Sequence, residues 1–492
     1  MTKALKPEVP VSAPGEGDFR LTCLNGFGDG WNQYAHCMAW FGGRLYVGTS
    51  RANMAGMRLA GGQARIRPWP VQCPDDIYDL DRRAQIWEYT PETEQWKQVF
   101  RSPVVSGSNG RDDVPSYIGL RGMAVFQAPQ DRAPCLYVSS WSPHTAHNPD
   151  VLRSEDGQHF SPVKRPPFGP QVRSCRSISY FNGRAHLSPV AAGTRRGFTQ
   201  DLSSEAVIYA SDNLSGGQWQ PSNEEGFGNL NNVTVFEMAQ FGDHLVAGTA
   251  NPQQGAELWK SRGGSLPYEW EKIIDRGAGR GALNEVAGAL CEFKGALYVG
   301  FGIINGGYHR TAGVGPASAE IARFWPDGSW DLIMGESRLT DQGLKYPLSG
   351  YGPGFDSLFN GYIWRMCVHQ GWLYAGTFNW TNLLPYLPIQ AFPADVGAII
   401  RRWGEERLLR EYGGAELWRT ADGIHWEAVT RSGFGNKFNW GFRTLVSTDA
   451  GLFVGTANPF GPTIAVNRQG NWQYQRNPRG GCEVWLGQAA AP

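Results

Sequence analysis

Three arginines and one histidine occupy a single position of an internal repeat in this 492-residue chain. Counted four residues on from a recurring Asn position, the repeats carry His36, Arg121, Arg176, Phe236, Gly288, Trp364 and Arg443. If the repeats follow one another around a ring, Arg443, His36, Arg121 and Arg176 form a contiguous basic arc. Phe236, Gly288 and Trp364 then form an apolar arc opposite it. One position further, Glu237 and Arg365 add charge to the second side, and Tyr34 and Tyr362 lie nearer the start of the same strands.

Arginine is a permanent planar cation that holds carboxylate, phosphate or sulfate through paired hydrogen bonds. His36, with an ordinary pKa near ~6.5, is the natural general base. Tyr34 or Tyr362 could donate a proton, and Glu237 could serve as a second acid or base. Arg121, Arg176 and Arg443 could hold an anionic group or stabilise developing negative charge. Arg176, Arg365, Phe236, Trp364 and Tyr362 would then bind the rest of the substrate. A cationic wall facing an aromatic wall suits a small organic acid or a phenol. The same arginines also have a structural reading, as links that bind backbone carbonyls of neighbouring repeats.

Other constellations are weaker. His144 and His147 in "HTAHNPD", joined by His186 or His309, could hold a metal. Two loop histidines three apart are a common accident, and no cofactor is predicted, although a divalent metal stays open. The segment 73–83, "CPDDIYDLDRR", is expected to pair its acids with Arg82 and Arg83 rather than with calcium. Formal net charge is zero, so no global field favours nucleic acid or an anionic membrane. No apolar run is long enough for a transmembrane helix. The eight Cys are scattered, with Cys37, Cys291 and Cys367 inside expected strands. They read as buried free thiols of a cytoplasmic protein.

The elements that must position these residues announce themselves by repetition. With 64 Gly, 20 Trp and 18% charged residues, the chain has the composition of an all-β repeat protein. Paired strands with tight turns recur at 34–49, 119–140, 174–189, 234–249, 286–301, 362–377 and 441–456. Third strands read "AQIWEY", "AVIYAS", "AELWKS" and "AELWRT". Fourth strands carry one large aromatic each, at Trp96, Phe160, Trp219, Trp270, Trp330 and Trp426, with Phe19 as the seventh. Residues 18–28 align with 425–435, so the N-terminal strand supplies what the last repeat lacks.

The arrangement resembles seven-bladed β-propellers with four-stranded antiparallel blades, closed by that N-terminal strand. The hairpins at 154–160 and 420–426 resemble Asp-box turns, and 89–96 resembles a Kelch hairpin. The "GFG…N…LYVGT…ELW" style also resembles the propeller part of cyanobacterial enzymes that alkylate phenols or carboxylates with alkyl halides. Group transfer is what that resemblance implies. Expected boundaries are a disordered lead-in at 1–17 and one propeller domain at 18–487. Blade cores fall near 34–101, 117–164, 172–222, 232–274, 284–334, 360–430 and 439–486 plus 18–23.

Long loops connect second to third strands and gather on one face, where function usually sits. The longest includes an amphipathic helix at 394–413, expected either as a lid over the mouth or as a subunit contact in a homodimer. The expected function is an enzyme acting at that mouth on an anionic or phenolic small molecule, by group transfer, lysis or hydrolysis. The alternatives are a glycan- or metabolite-binding propeller without catalysis, or a protein-interaction scaffold.

Overall fold

A computed structural model describes residues 12–59, 66–191, 206–309 and 313–489. The fold is mostly β, with few helices, and its strands pair as antiparallel meanders of four. In the first, Asn32–Phe41 pairs with Arg44–Arg51, which pairs with Gln85–Thr90, which pairs with Gln95–Arg101. The inner strands of the following meanders are Gly119–Phe126, Val172–Phe181, Thr234–Phe241, Val286–Phe293, Asn360–His369 and Gly441–Thr448. The turns that lead out of them are tight. Asn182-Gly183 and Gln370-Gly371 both have positive φ, as two-residue hairpin turns of this kind require.

One module repeats at the entrance to the inner strands. Its Asn side chain donates to the carbonyl of a Gly six or seven residues earlier, at 2.9 Å for Asn32, Asn232, Asn284 and Asn360 and 3.0 Å for Asn439. The same amides reach the third strand, where Asn232 meets Glu257 at 2.6 Å, Asn284 meets Glu320 at 2.8 Å and Asn439 meets Glu483 at 2.7 Å. Those buried carboxylates also accept Trp indole N–H groups, Trp259 to Glu257 and Trp485 to Glu483. Phe27, Phe227, Phe355 and Phe434 take positive φ, which costs a side-chain-bearing residue about 1 kcal/mol. Stacking offsets it: Phe355 lies 4.2 Å from Trp418 at 7°, and Phe27 4.7 Å from Trp87 at 4°. The fourth-strand aromatics pack into the cores, with Trp219, Trp330, Trp426 and Phe19 buried.

The last meander is assembled from both ends of the chain. Gly441–Thr448 pairs with Gly451–Ala457, which pairs with Val484–Gly487, and the outer place is taken by Phe19–Cys23. A single bridge joins Tyr34 to Ala457, linking the last meander to the first. Bridges of the same kind join Ser50 to Gly119, Gly302 to Tyr362 and Phe378 to Gly441. Residues 1–11 of the expected lead-in lie outside the described residues. The remainder is not loose: Glu16–Asp18 forms a 3-10 turn, and Thr430 donates to Glu16 at 2.6 Å.

The expected helix at 394–413 is two helices, Ala394–Trp403 and Glu405–Tyr412, broken at Gly404 with φ 81°. Its predicted apolar stripe divides accordingly. Val396, Ile400 and Leu408 are buried in a cluster with Tyr34, Tyr362 and Trp364, while Ile399 and Trp403 face out. All eight Cys are free thiols, and Cys291 and Cys367 are half-buried rather than buried. Among the described residues no helix is long and apolar enough to cross a membrane.

Candidate functional site

Every residue of the predicted arc sits on a β-bulge. Register shifts fall between Ala35 and Cys37, Leu120 and Gly122, Cys175 and Ser177, Val235 and Glu237, Ala287 and Ala289, Ile363 and Arg365, and Phe442 and Thr444. The residue left between each pair is His36, Arg121, Arg176, Phe236, Gly288, Trp364 or Arg443. A bulge places two residues against one and re-aims their side chains. Phe236 and Glu237 therefore need not alternate faces, and neither need Trp364 and Arg365.

The bulged side chains are deeply buried: His36 4%, Arg121 4% and Arg443 3% exposed. Arg121 donates to Ser174 Oγ at 3.0 Å, and Arg176 Nε donates to the Phe236 carbonyl at 3.0 Å with its guanidinium 3.3 Å from the Phe236 ring centroid. Arg176 thus fulfils the structural reading, linking one meander to the next. Arg443 lies over Trp364 at 5.4 Å and has no carboxylate partner among the described residues. Arg365 pairs with Glu237 at 3.0 Å, and Glu237 also accepts from Ser177 Oγ at 2.9 Å.

Arg443, Arg121, Arg176 and Arg365 thus all act on His36, and Glu237 pairs with Arg365. Burial, then Arg365 and Arg121, push the Arg443 guanidinium from 12.5 down to about 10. Burial, followed by Arg443, Arg121, Arg176 and Arg365, holds His36 well below its ordinary value, so its imidazole is neutral at physiological pH. Among the described residues, His36 Nδ1 has no hydrogen-bond partner.

On the loop side, aromatic rings of the first, sixth and seventh meanders pack against one another. Tyr34, Trp364, Tyr362, Phe378 and Trp440 form a run of edge and stacked ring contacts 4.8–6.3 Å apart. The long loops of the first, sixth and seventh meanders pack over them through Trp69, Trp380, Tyr386 and Phe460. Val396, Ile400 and Leu408 of the two helices belong to the same cluster. Exposure instead rises beyond the bulges, where Val125, Gln240, Glu292 and Ser447 are exposed near the tight turns. A cavity of about 130 Å³ lies on that side, lined by Arg121, Arg176, Arg365, Glu237, Ser177 and Thr444 among others. Sequence reasoning missed Gly122, Ser177 and Thr444, which stand one position after the bulge like Glu237 and Arg365. Their only signal is small size at a place where neighbours carry charge.

The other predicted site residues lie apart. His147 Nδ1 contacts the Asn148 carbonyl at 2.6 Å, His144 is exposed, His186 meets Tyr268 at 3.1 Å, and His309 pairs with Glu285 at 2.9 Å. Among the described residues no three of His, Cys, Asp and Glu gather to hold a metal. In the acidic segment, Arg83 pairs with Asp81 at 2.9 Å as expected, but Arg82 makes no ion pair among the described residues and instead lies over Tyr78 at 5.6 Å. A larger groove of about 830 Å³ runs between the turns of the fourth and fifth meanders, past Phe241, Trp270 and Trp325. Its cations are already paired, Lys260 with Glu271 and Arg262 with Asp243, so it offers no unbalanced buried charge.

The chain matches no protein-family model and no curated protein. Solved structures that align with it include a puromycin-hydrolysing peptidase of Mycobacterium tuberculosis, at 10% identity, 91% of this chain, 62% of that chain and TM-score 0.37. One of two prolyl endopeptidases aligns at 9% identity, 93% of this chain, 51% of that chain and TM-score 0.40. An acylaminoacyl peptidase of Pyrococcus horikoshii aligns at 8% identity, 90% of this chain, 52% of that chain and TM-score 0.38. The chain thus spans between half and two thirds of those proteins, and similarity at this level bears on no chemistry.

Proposed function

We propose that the meanders are the blades of a seven-bladed propeller closed by its own N-terminal strand, and that the central channel binds a small anionic or phenolic substrate on which the protein acts as an enzyme. The observation that carries this reading is the buried Arg443, which lies over Trp364 with no carboxylate partner among the described residues, next to a cavity lined by Arg121, Arg176 and Arg365. Uncompensated buried cations are costly, and a bound anion removes that cost. His36, neutral and with no partner at Nδ1 among the described residues, is the group proposed to accept a proton from the substrate. Glu237 is held by Arg365 and Ser177, which suits a counter-ion better than the acid–base role expected of it. Arg176 acts mainly as a link between blades. The cavity beside Arg121, Arg176 and Arg365, on the side of the tight turns, supports an approach of the substrate from that side.

The test is a thermal-shift screen of small carboxylates, phenols and phosphate or sulfate compounds, followed by mass-spectrometric detection of product from each compound that binds. Wild type is expected to be stabilised by a subset of anions, and Arg443→Gln to lose that response. Stabilisation of both proteins alike would remove the channel from consideration. Binding without product would leave a metabolite-binding propeller.

A further inference from the structure

The helical insertion and the hairpin beside it present apolar side chains outward as well as inward. Helix Ala394–Trp403 buries Val396 and Ile400, yet Ile399 and Trp403, one turn apart on its outer side, are 45% and 39% exposed. The hairpin of Thr463–Arg468 and Asn471–Arg476 is a separate two-stranded sheet outside the meanders. Its Trp472 and Tyr474, two apart and so on one face, are 36% and 41% exposed. These rings are held in place. Trp472 packs against Tyr386 at 5.7 Å, Tyr474 donates to the Trp69 carbonyl at 3.0 Å, and Arg407 lies over Trp403 at 4.3 Å. Tyr386 joins the two elements. Its hydroxyl donates to the Ala465 carbonyl at 2.9 Å, and its own carbonyl accepts from the Arg67 N–H at 2.9 Å. Three residues on, Ile389 lies against the helix, where a Cβ on Gly397 would stand 3.5 Å from its carbonyl.

Around these rings stand Arg67, Arg401, Arg402, Arg468 and Arg476, all exposed and without an ion pair among the described residues. Residues 458–482 contain no Asp or Glu. The acids of the insertion are already engaged. Asp395, Glu405 and Glu406 lie in the first turns of the two helices, where the helix dipoles favour them, and Glu411 pairs with Arg407 and Arg410. Exposed Trp, Tyr and Ile set among arginines suit the headgroup layer of a bilayer, where rings with a polar edge and cations with apolar stems are both accommodated. A neutral sugar fits less well, since Ile399 offers it no hydrogen bond and the arginines no charge to pair.

We propose that this loop-side surface docks on an anionic lipid bilayer, with Ile399, Trp403, Trp472 and Tyr474 entering the headgroup layer and the arginines pairing with lipid phosphate and carboxylate groups. The whole chain is neutral, so the attraction is local to this face. It does not depend on what the channel binds.

The experiment is flotation of the full chain with vesicles of phosphatidylcholine alone and of phosphatidylcholine and phosphatidylserine at about 2:1, with hydrogen exchange read on the bound protein. Partitioning is expected to be at least ~10-fold stronger on the mixed vesicles and to weaken in high salt. Arg401→Gln with Arg402→Gln should lower it by about 10-fold or more, at roughly 5-fold per lost charge. Ile399→Ser with Trp403→Ser should lower it by at least ~10-fold. All four side chains are exposed, so an unchanged Tm is expected; if either pair does not fold, Arg468→Gln with Arg476→Gln in the hairpin gives the same reading. Exchange should slow in 394–403 and 471–476. Absence of flotation with both vesicles overturns the proposal, and equal flotation with both overturns the anionic-lipid assignment. Protection confined to other segments overturns the choice of face. Tighter binding to a single-stranded oligonucleotide than to the mixed vesicles assigns the surface to a different polyanion. Self-association that protects 394–403 without vesicles assigns it to a second copy of the chain, and either result overturns docking on lipid.

Discussion

At the residue scale, the arginine cluster on the inner strands departs from what stability alone would select. Arg443 is buried, unpaired with any carboxylate among the described residues and held down to about 10 by burial and by two other arginines. A shift of that size corresponds to roughly 3 kcal/mol held against folding. Arg443→Met should therefore raise Tm by a few degrees in anion-free buffer, while abolishing stabilisation by any anion. A lower Tm would show that Arg443 is structural. A second residue-scale expectation concerns His186, which burial pushes down to about 4. The unfolded histidine takes up a proton near ~6.5, whereas the folded one resists until the pH is far lower. Stability must then fall as pH drops from 6.5 to 4, by roughly 3 kcal/mol from this group. Urea unfolding at several pH values should show a shallower decline in His186→Gln. His36 acts in the same direction, and a bound anion would raise its pKa.

At the scale of the element, the module of Gly-Phe-Gly, Asn and third-strand Glu explains why the repeat reads as it does. The Asn's bond to the crossover backbone follows from its position. The purpose of Glu in "ELW" does not, because its partner lies 25 to 44 residues away: Glu257 receives Asn232 at 2.6 Å, and Glu483 receives Asn439 at 2.7 Å. Asn232→Ala leaves a buried carboxylate and a carbonyl short of a donor, and should cost roughly 3 kcal/mol in urea unfolding. The bulges were equally hidden. One extra residue in each inner strand is a property of pairing, and no periodicity within the strand reveals it. Gly441 shows how tightly the result is packed, since a Cβ there would meet Trp364 at 2.2 Å. Gly441→Ala should lower stability by about 1–3 kcal/mol and displace the ring over which Arg443 lies.

At the scale of the molecule, both chain ends build the last meander, and its neighbour carries His36 and Tyr34. Removing residues 1–23 should lower Tm by more than ~10 °C and abolish anion binding in the same step. A peptide spanning 12–28 added in trans should restore both. Independent loss of one property would show that the seam and the channel are not coupled. The sequence by itself determined the strands, the tight turns, the strand shared between the two ends and the repeat position that carries arginine and histidine. These signals are local, or are copies of one another, and can be compared along the chain. Only the tertiary structure decided that loop residues of the first, sixth and seventh meanders pack on the rings of Tyr34, Tyr362 and Trp364, that a cavity lies toward the tight turns, and that Arg176 is bonded to the Phe236 carbonyl while Arg443 is not paired with any acid among the described residues. Those outcomes depend on burial and on contacts between residues dozens to hundreds of positions apart, which no local pattern encodes.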